Sequence, residues 1–430
     1  MPTLSSSSPP ALHPSPPLAA TLRQAAMIVA GVLQGQTPDV ALTQVNANLR
    51  ASVMEAVFAT LRAYGRGDFF LTQLLAKPLK EPGAPYVRAL LLIALQRLET
   101  EPATAHTTVD QAVSAAAHLH GGRLKALVNG VLRNFLRQQA TLAAASAADE
   151  VAHWQHPSWW IDVVRADHPQ HWQAILAAGN QHPPMSLRPN NRRVTSADLR
   201  NRLHSVDIAC DDGPYGALYL PQPCPVAQLP GFAEGDCSVQ DAGAQAAAVL
   251  LDVSDGMRVL DACAAPGGKA AHLLEHARID LLALDADFMR AERIRSNLKR
   301  LGLSAKVRVA DARQLSQWWD GQPFERILAD VPCSASGVVR RHPDAKWLRR
   351  ESDIARFAQT QAAIVDTLWQ TLAPGGKMLY ATCSVFAREN SRQLSQFLHR
   401  HRDAALVDPV LDLLPDDHHD GFFYALLAKH

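Results

Sequence analysis

The sequence predicts a multidomain chain: an all-α N-terminal domain, a small α+β linker module, and a C-terminal α/β Rossmann-like domain. Three observations carry that reading. Apolar residues recur at helical spacing through about residue 139, tryptophans and prolines crowd the middle, and from Val239 onward short apolar runs alternate with helical patterns. At 430 residues the chain is also too long for a single typical core.

Met1 to about Ala20 is rich in Pro, Ser and Ala and has no Lys, Arg, Asp or Glu. Such a segment cannot bury enough surface to offset its ordering entropy, so a disordered tail is expected over 1–20. From Thr21 to Gln139 the pattern is helical: Val53, Val57 and Leu61 share one face, and Val87 to Leu98 is apolar apart from Arg88, Gln96 and Arg97, as in the central helix of a bundle. Val109 to His118 and Leu124 to Leu136 complete the set. This region carries about a dozen Lys and Arg against about seven Asp and Glu, an excess compatible with RNA contact. Ala140 to Glu150 reads as an Ala-rich linker. The module over 151–238 holds Trp154, Trp159, Trp160 and Trp172, and its Arg188, Arg192 and Arg193 have the forked geometry that meets phosphates.

Over 239–430 the runs Arg258–Leu260, Leu281–Leu284, Val307–Val309, Arg326–Ala329 and Lys377–Tyr380 alternate with helical patterns, which implies a parallel sheet covered on both faces. Ligands of such sheets sit at the carboxyl ends of the strands, where Asp261, Asp285, Asp311, Asp330 and Cys383 fall. The turn Cys263-Ala264-Ala265-Pro266-Gly267-Gly268-Lys269 follows the first strand. It lacks the G-x-G-x-x-G of dinucleotide binders, and Ala262 and Ala270 stand where a Walker A loop needs Gly and a hydroxyl. A ligand without pyrophosphate remains, with Asp285 placed for a ribose diol and Asp311 for an adenine amine.

Asp261 to Lys269, the run Asp330-Val331-Pro332-Cys333-Ser334 continuing to Gly337, and Thr382-Cys383-Ser384 resemble the motifs of the Nop/Sun family of S-adenosylmethionine-dependent RNA cytosine-5 methyltransferases. The helical region, above all Val128-Asn129-Gly130-Val131-Leu132-Arg133, resembles the NusB family, and the combination is similar to bacterial enzymes acting on small-subunit (16S) ribosomal RNA. The resemblance covers nearly everything after Ala20. It implies that Cys263 to Lys269, Asp285, Asp311 and Asp330 line the S-adenosylmethionine site, that Cys383 is the nucleophile, and that Cys333 assists breakdown of the adduct. Three positions depart from the family pattern: Ala270 for a usual Thr or Ser, Val331 for a usual Ala, and Ala387-Arg388-Glu389 for a usual Pro-Glu-Glu. None is expected to touch a catalytic group, although Val331 is placed to crowd the base.

The residue types agree with that chemistry. C5 of cytosine is a poor nucleophile until a thiolate adds at C6, and sulfur serves both as nucleophile and as leaving group. Asp330 is placed to hold the base near N3 and its exocyclic amine as charge develops. The basic stretch Arg340 to Arg350, with Trp347, suits an RNA backbone and a stacked base, and the target base must be single-stranded or extruded. Cys210, Cys224 and Cys237 read as small buried hydrophobes.

A formal charge of +1 excludes a global basic field, so any RNA surface is local. The six cysteines include no C-x-x-C pair, which argues against a zinc knuckle or disulfide scaffold and for a reducing cytoplasm. No apolar run reaches membrane-spanning length, no metal is called for, and a cytoplasmic monomer with ribosomal RNA as partner is expected. The rival readings are a non-catalytic RNA-binding assembly factor on the same scaffold, which has no need of two thiols, and an exocyclic-amine methyltransferase, whose polar-Pro-Pro-aromatic loop is replaced here by Asp-Val-Pro-Cys.

Overall fold

Helical spacing of apolar residues dictates the first part of the chain. It folds as α1 (Leu18–Leu33), α2 (Pro38–Gln44), α3 (Ala47–Arg62), α4 (Tyr64–Leu74), α5 (Ala84–Thr100), α6 (Ala105–Ala117), α7 (Lys125–Ala148) and α8 (Glu150–Trp154). The computed structural model describes residues 18–80 and 83–430, so most of the expected tail lies outside the described residues. Leu18 to Ala20, read as the end of that tail, instead form the first turn of α1. Helix α5 is apolar on nearly every side, and α1, α4, α6 and α7 pack around it. Val53, Val57 and Leu61 of α3 are fully buried, as their spacing requires.

The Ala-rich stretch 140–150 is not a linker. Alanine is the strongest helix former, and α7 continues through it to Ala148. Asp149 then accepts a hydrogen bond from the Ala152 amide (2.8 Å) and caps α8. The chain divides into compact units at Gln155/His156, so the expected module start at 151 moves by five residues. The module and the α/β region together form the second unit.

The second unit opens with α9 (Ser158–Asp167) and α10 (Trp172–Ala178), followed by a four-stranded antiparallel sheet in the order β2-β3-β1-β4. Its strands are β1 (Met185–Pro189), β2 (Asp211–Asp212), β3 (Leu218–Leu220) and β4 (Cys237–Val239), with α11 (Ser196–His204) beside them. The arginines expected to meet phosphates are occupied internally. Arg188 is buried against Glu275 (2.8 Å), Arg192 donates to the Ala277 carbonyl (2.7 Å), and Arg193 donates to Asp236 (2.8 Å). A buried guanidinium needs a fixed counter-charge, and Glu275 supplies it.

Next come α12 (Ala242–Leu251), β5 (Arg258–Asp261), α13 (Gly268–His276), β6 (Asp280–Asp285), α14 (Phe288–Leu301), β7 (Lys306–Val309), β8 (Phe324–Asp330), α15 (Ala345–Leu348), α16 (Glu351–Thr371), β9 (Leu372–Thr382), α17 (Ser391–Arg400), β10 (Ala404–Leu406), β11 (Leu411–Leu413) and β12 (Phe422–Lys429). The sheet order is β10-β12-β9-β8-β5-β6-β7, with β11 paired to β12. Strands β5 to β9 are parallel as expected, but β12 runs antiparallel to β9, and β10 pairs antiparallel with β12 at the edge. Successive strand residues face opposite layers. Ile327 and Ala329 pack with Ile364, Leu368 and Phe397 of α16 and α17, whereas Leu328 packs with residues of α12, α13 and α14. The chain passes from β5 outward to β6 and β7, then returns to the other side of β5 with β8. That reversal opens a crevice at the carboxyl ends of β5 and β8.

Candidate active site

Five strand ends deliver the chemistry to this crevice. Asp261 closes β5, Asp285 closes β6, Asp330 closes β8, Thr382 closes β9, and Asp311 lies just past β7. Between β5 and α13, Gly267 adopts φ +97°, and a Cβ there would meet the Ile294 Cα at 3.1 Å. Only glycine lets the turn pass so close to α14.

The acids differ sharply in their surroundings. Asp261 is fully buried, and among the described residues its carboxylate oxygens have no hydrogen-bond partner beyond the Cys263 amide. Burial, with the charge of Asp330 nearby, pushes its pKa up to about 8. Asp285 is also buried, but it accepts from the Ala265 amide (3.3 Å) and the Asp287 amide (3.0 Å) and pairs with Arg290 (3.3 Å). Asp311 is held in a fork by Arg313 at 2.6–3.1 Å, and that hydrogen bonding keeps its pKa below the ordinary carboxylate range. An adenine amine would share this carboxylate with Arg313. Lys269 donates to Asp330 at 2.6 Å. Burial opposes its charge, yet Asp330 outweighs burial and the lysine pKa rises, so the ammonium persists. Its Nζ also sits 5.6 Å from the Phe422 ring.

The two thiols predicted from separate motifs come together: Cys333 Sγ and Cys383 Sγ are 3.3 Å apart. The Cys333 thiol is pushed well above its ordinary pKa by its hydrogen bond with Cys383 and by burial. Cys263 in the cofactor turn is different, since burial and the neighbouring Asp261 push its thiol up and leave it inert.

Behind the thiols lies a buried polar cluster. The β8–β9 ladder ends at Asp330 and Ala381, after which the Gly337 amide donates to the Cys383 carbonyl (2.8 Å). Glu389, completely buried, accepts from the Ser334 amide (2.9 Å), the Ser334 hydroxyl (2.5 Å), the Ser384 hydroxyl (2.6 Å) and Gln361 Nε2 (3.0 Å). Burial raises its pKa against these donors. Ala387 and Arg388 are the residues that depart from the family's Pro-Glu-Glu; Glu389 keeps its glutamate and binds the residue after each cysteine. Helix α9 braces the same loop: Asp167 accepts from the Ala387 amide (2.9 Å), and Trp160 meets Phe386 edge-on at 5.0 Å.

Val331, expected to crowd the base, is instead buried in the sheet core with Ile364 and Val365. In the basic stretch, Arg340 is buried against Asp420 (2.5 Å), Arg341 pairs with Asp420 and Asp241, and Lys346 is buried with Asn180 (2.9 Å). These charges organise the fold; Arg350 is the exposed one. The partners that claim them lie 80 to 166 residues away in the chain for Arg340 and Lys346, so no local signal could have exposed the pairing.

Comparison with known proteins agrees with this architecture. Residues 248–428 match the family described as 16S rRNA methyltransferase RsmB/F, residues 156–227 match the RsmF/B-like ferredoxin-like domain, and residues 21–137 match the NusB family. Ribosomal RNA small subunit methyltransferase B of Vibrio cholerae is 42% identical over 395 residues, covering 90% of this chain and 91% of that one. Its namesake from Serratia proteamaculans is 42% identical over 428 residues, covering 95% and 98%. A methyltransferase homologue from Pyrococcus horikoshii superimposes with TM-score 0.59 at 25% identity, over 66% of this chain and 99% of that one. NSun6 from the same organism, solved with SFG, superimposes with TM-score 0.57 at 20% identity, over 64% and 98%. With a NusB-family domain, a ferredoxin-like module and a two-cysteine α/β domain in one chain, and relatives at 42% identity over nearly its whole length, this chain belongs to the RsmB/F family of 16S rRNA methyltransferases.

Proposed function

We propose that the chain transfers a methyl group from S-adenosylmethionine to C5 of a cytosine in 16S ribosomal RNA, with Cys383 as nucleophile. The observation that carries this reading is the pair of thiols 3.3 Å apart at the ends of β8 and β9, beside an acidic crevice. The crevice fits the donor. Asp261 offers carboxylate oxygens with no side-chain partner among the described residues, Asp285 closes the neighbouring strand, and the Gly267–Gly268 turn admits a ligand close to the backbone. Residues Cys263 to Lys269, Asp285, Asp311 and Asp330 are the proposed lining. When bound, S-adenosylmethionine supplies an electrophilic methyl group.

The chain's own residues do the rest. The Cys383 sulfur forms a bond to C6, and the electrons of the C5–C6 double bond shift toward C5, making it nucleophilic. Asp330, oriented by Lys269, holds the base at N3 and the exocyclic amine while charge develops there. After methyl transfer the C5 proton leaves to a base, the electrons re-form the double bond, and the C6–S bond breaks. Cys333, in contact with the departing sulfur, assists this last step. The base must be unpaired or extruded to reach the thiols. Cofactor turn and both cysteines lie in the same compact unit, which supports action as a monomer, and six free cysteines suit a reducing cytoplasm.

Bisulfite sequencing of 16S RNA from a deletion strain tests the reading. One cytosine should lose its 5-methyl mark and regain it with the wild-type gene but not with Cys383→Ser. An unchanged methylation map on deletion would overturn the assignment.

A further inference from the structure

Two loops must hold their cysteines in register beyond the point where the sheet stops holding them. Backbone pairing of β8 with β9 ends at Asp330 and Ala381, with two further bonds, from the Val331 amide to the Ala381 carbonyl (3.1 Å) and from the Gly337 amide to the Cys383 carbonyl (2.8 Å). Cys333 and Cys383 both lie past that point. We propose that Glu389 is the positioning residue of the active site: its buried carboxylate clamps the two cysteine loops together and thereby sets the distance between the thiols. The proposal rests on the functional reading above.

The geometry is that of a clamp. A carboxylate has about four lone-pair positions, and here four donors fill them. Oε1 takes the Ser334 amide and Gln361 Nε2, and Oε2 takes the hydroxyls of Ser334 and Ser384. Ser334 follows Cys333 and Ser384 follows Cys383, so one side chain binds the immediate neighbour of each thiol. The clamp is itself anchored. Tyr380 donates to the Glu389 carbonyl (2.5 Å), Gln361 also donates to the Pro332 carbonyl (3.0 Å), and Asn390 donates to the Ser384 carbonyl (2.7 Å). The hydroxyls of Ser336 and Ser384, 2.9 Å apart, close the ring. The side chains of Glu389, Ser334, Ser336, Ser384, Gln361, Tyr380 and Asn390 are all buried. A buried network so completely satisfied is rigid, because any displacement leaves a polar group unpaired.

The clamp also acts on charge. Glu389 is among the groups that push the Cys333 thiol up, after the hydrogen bond to Cys383 and burial. A negative carboxylate behind Cys333 discourages its ionisation. Neither a hydrophobic residue nor glutamine can substitute, since the first accepts no hydrogen bond and the second puts an NH2 group against donors.

The test reads the distance between the thiols without RNA or cofactor. Diamide removes one hydrogen from each thiol, is reduced to its hydrazine, and leaves a Cys333–Cys383 disulfide that peptide mapping separates from the other four cysteines. In full-length protein, Glu389→Gln should slow this coupling at least tenfold. It should lower kcat at least tenfold and leave KM for S-adenosylmethionine within twofold. A carboxylate that merely stabilises the fold would lower the thermal midpoint and leave both the coupling rate and kcat unchanged, and that result would overturn the proposal. Should Glu389→Gln fail to fold, Ser384→Ala removes one of the four donors and should slow coupling at least threefold; an unchanged rate there also overturns it. Wild-type protein that methylates no RNA, with coupling still dependent on Glu389, would refute the functional reading and leave the clamp standing.

Discussion

Replacing Arg188 with Met should destabilise the second unit, because this side chain joins the small sheet to α13. Its Nε and Nη2 donate to the two oxygens of Glu275 at 2.9 and 2.8 Å, and Nη1 donates to the Gly268 carbonyl at 2.8 Å. Both partners of the ion pair are at most 2% exposed. Removing one member of such a pair strands the other charge and costs about 3–5 kcal/mol. The lost bond to Gly268 adds about 1 kcal/mol. For a unit of this size each kcal/mol lowers Tm by roughly 2–4 °C, so a fall of about 8–24 °C is expected by calorimetry. The loss should depend on pH with a definite sign. Burial already raises the Glu275 pKa against the pull of Arg188, and without Arg188 it rises further. A carboxyl whose folded pKa exceeds its unfolded value contributes stability below the unfolded pKa and loses it as pH rises through the folded one. His272 and His276, held down by burial and then by Arg188, become easier to protonate in the variant and act in the same direction. The gap from wild type should therefore be widest near pH 8 and narrow toward pH 5. Adding Glu275→Leu removes the stranded charge and should restore most of the loss. A single-variant loss below about 1 kcal/mol, or a double variant no more stable than the single one, would refute the argument.

Three further outcomes are expected. Cys383→Ser should abolish turnover and any covalent RNA adduct, whereas Cys333→Ser should accumulate adduct on a denaturing gel with cofactor present; the mirror pattern would exchange the two roles. Asp261 has its pKa raised to about 8, so protein stability should fall as pH rises toward 8, and Asp261→Asn should flatten that fall. In the same variant, S-adenosylhomocysteine affinity measured by titration calorimetry should lose a pH dependence that approaches tenfold per unit below pH 8 in wild type; identical profiles would remove Asp261 from the cofactor site. Lys77 and Lys80, exposed beside Leu79, Leu124 and Leu127, should contribute RNA affinity, and Lys77→Ala with Lys80→Ala should make the salt slope shallower by about one to two. An intact slope would mark them as solvated surface.

Much of this molecule is written locally. Helical spacing marked α3 and α5, and strand–helix alternation marked β5 to β9. The apolar run before each acid or cysteine placed Asp261, Asp285, Asp330 and Cys383 at one edge of a sheet not yet seen. These signals survive in one dimension because periodicity and turn chemistry are properties of neighbouring residues. Alanine's helix propensity is equally local, and the Ala-rich stretch misled only because composition was read as a linker when α7 simply continues. Charge was the poorest guide. Arg188, Arg340 and Lys346 looked like phosphate ligands, yet each is buried with a partner 80 or more residues distant. A charge run looks the same in sequence whether it meets solvent, RNA or a buried carboxylate, and only the folded chain supplies the partner. Glu389 shows the same limit from the other side: it matches the last residue of the family's Pro-Glu-Glu, but nothing near it in sequence says what it binds. Its four donors come from the ends of two strands and from α16, and tertiary structure alone brings them onto one carboxylate.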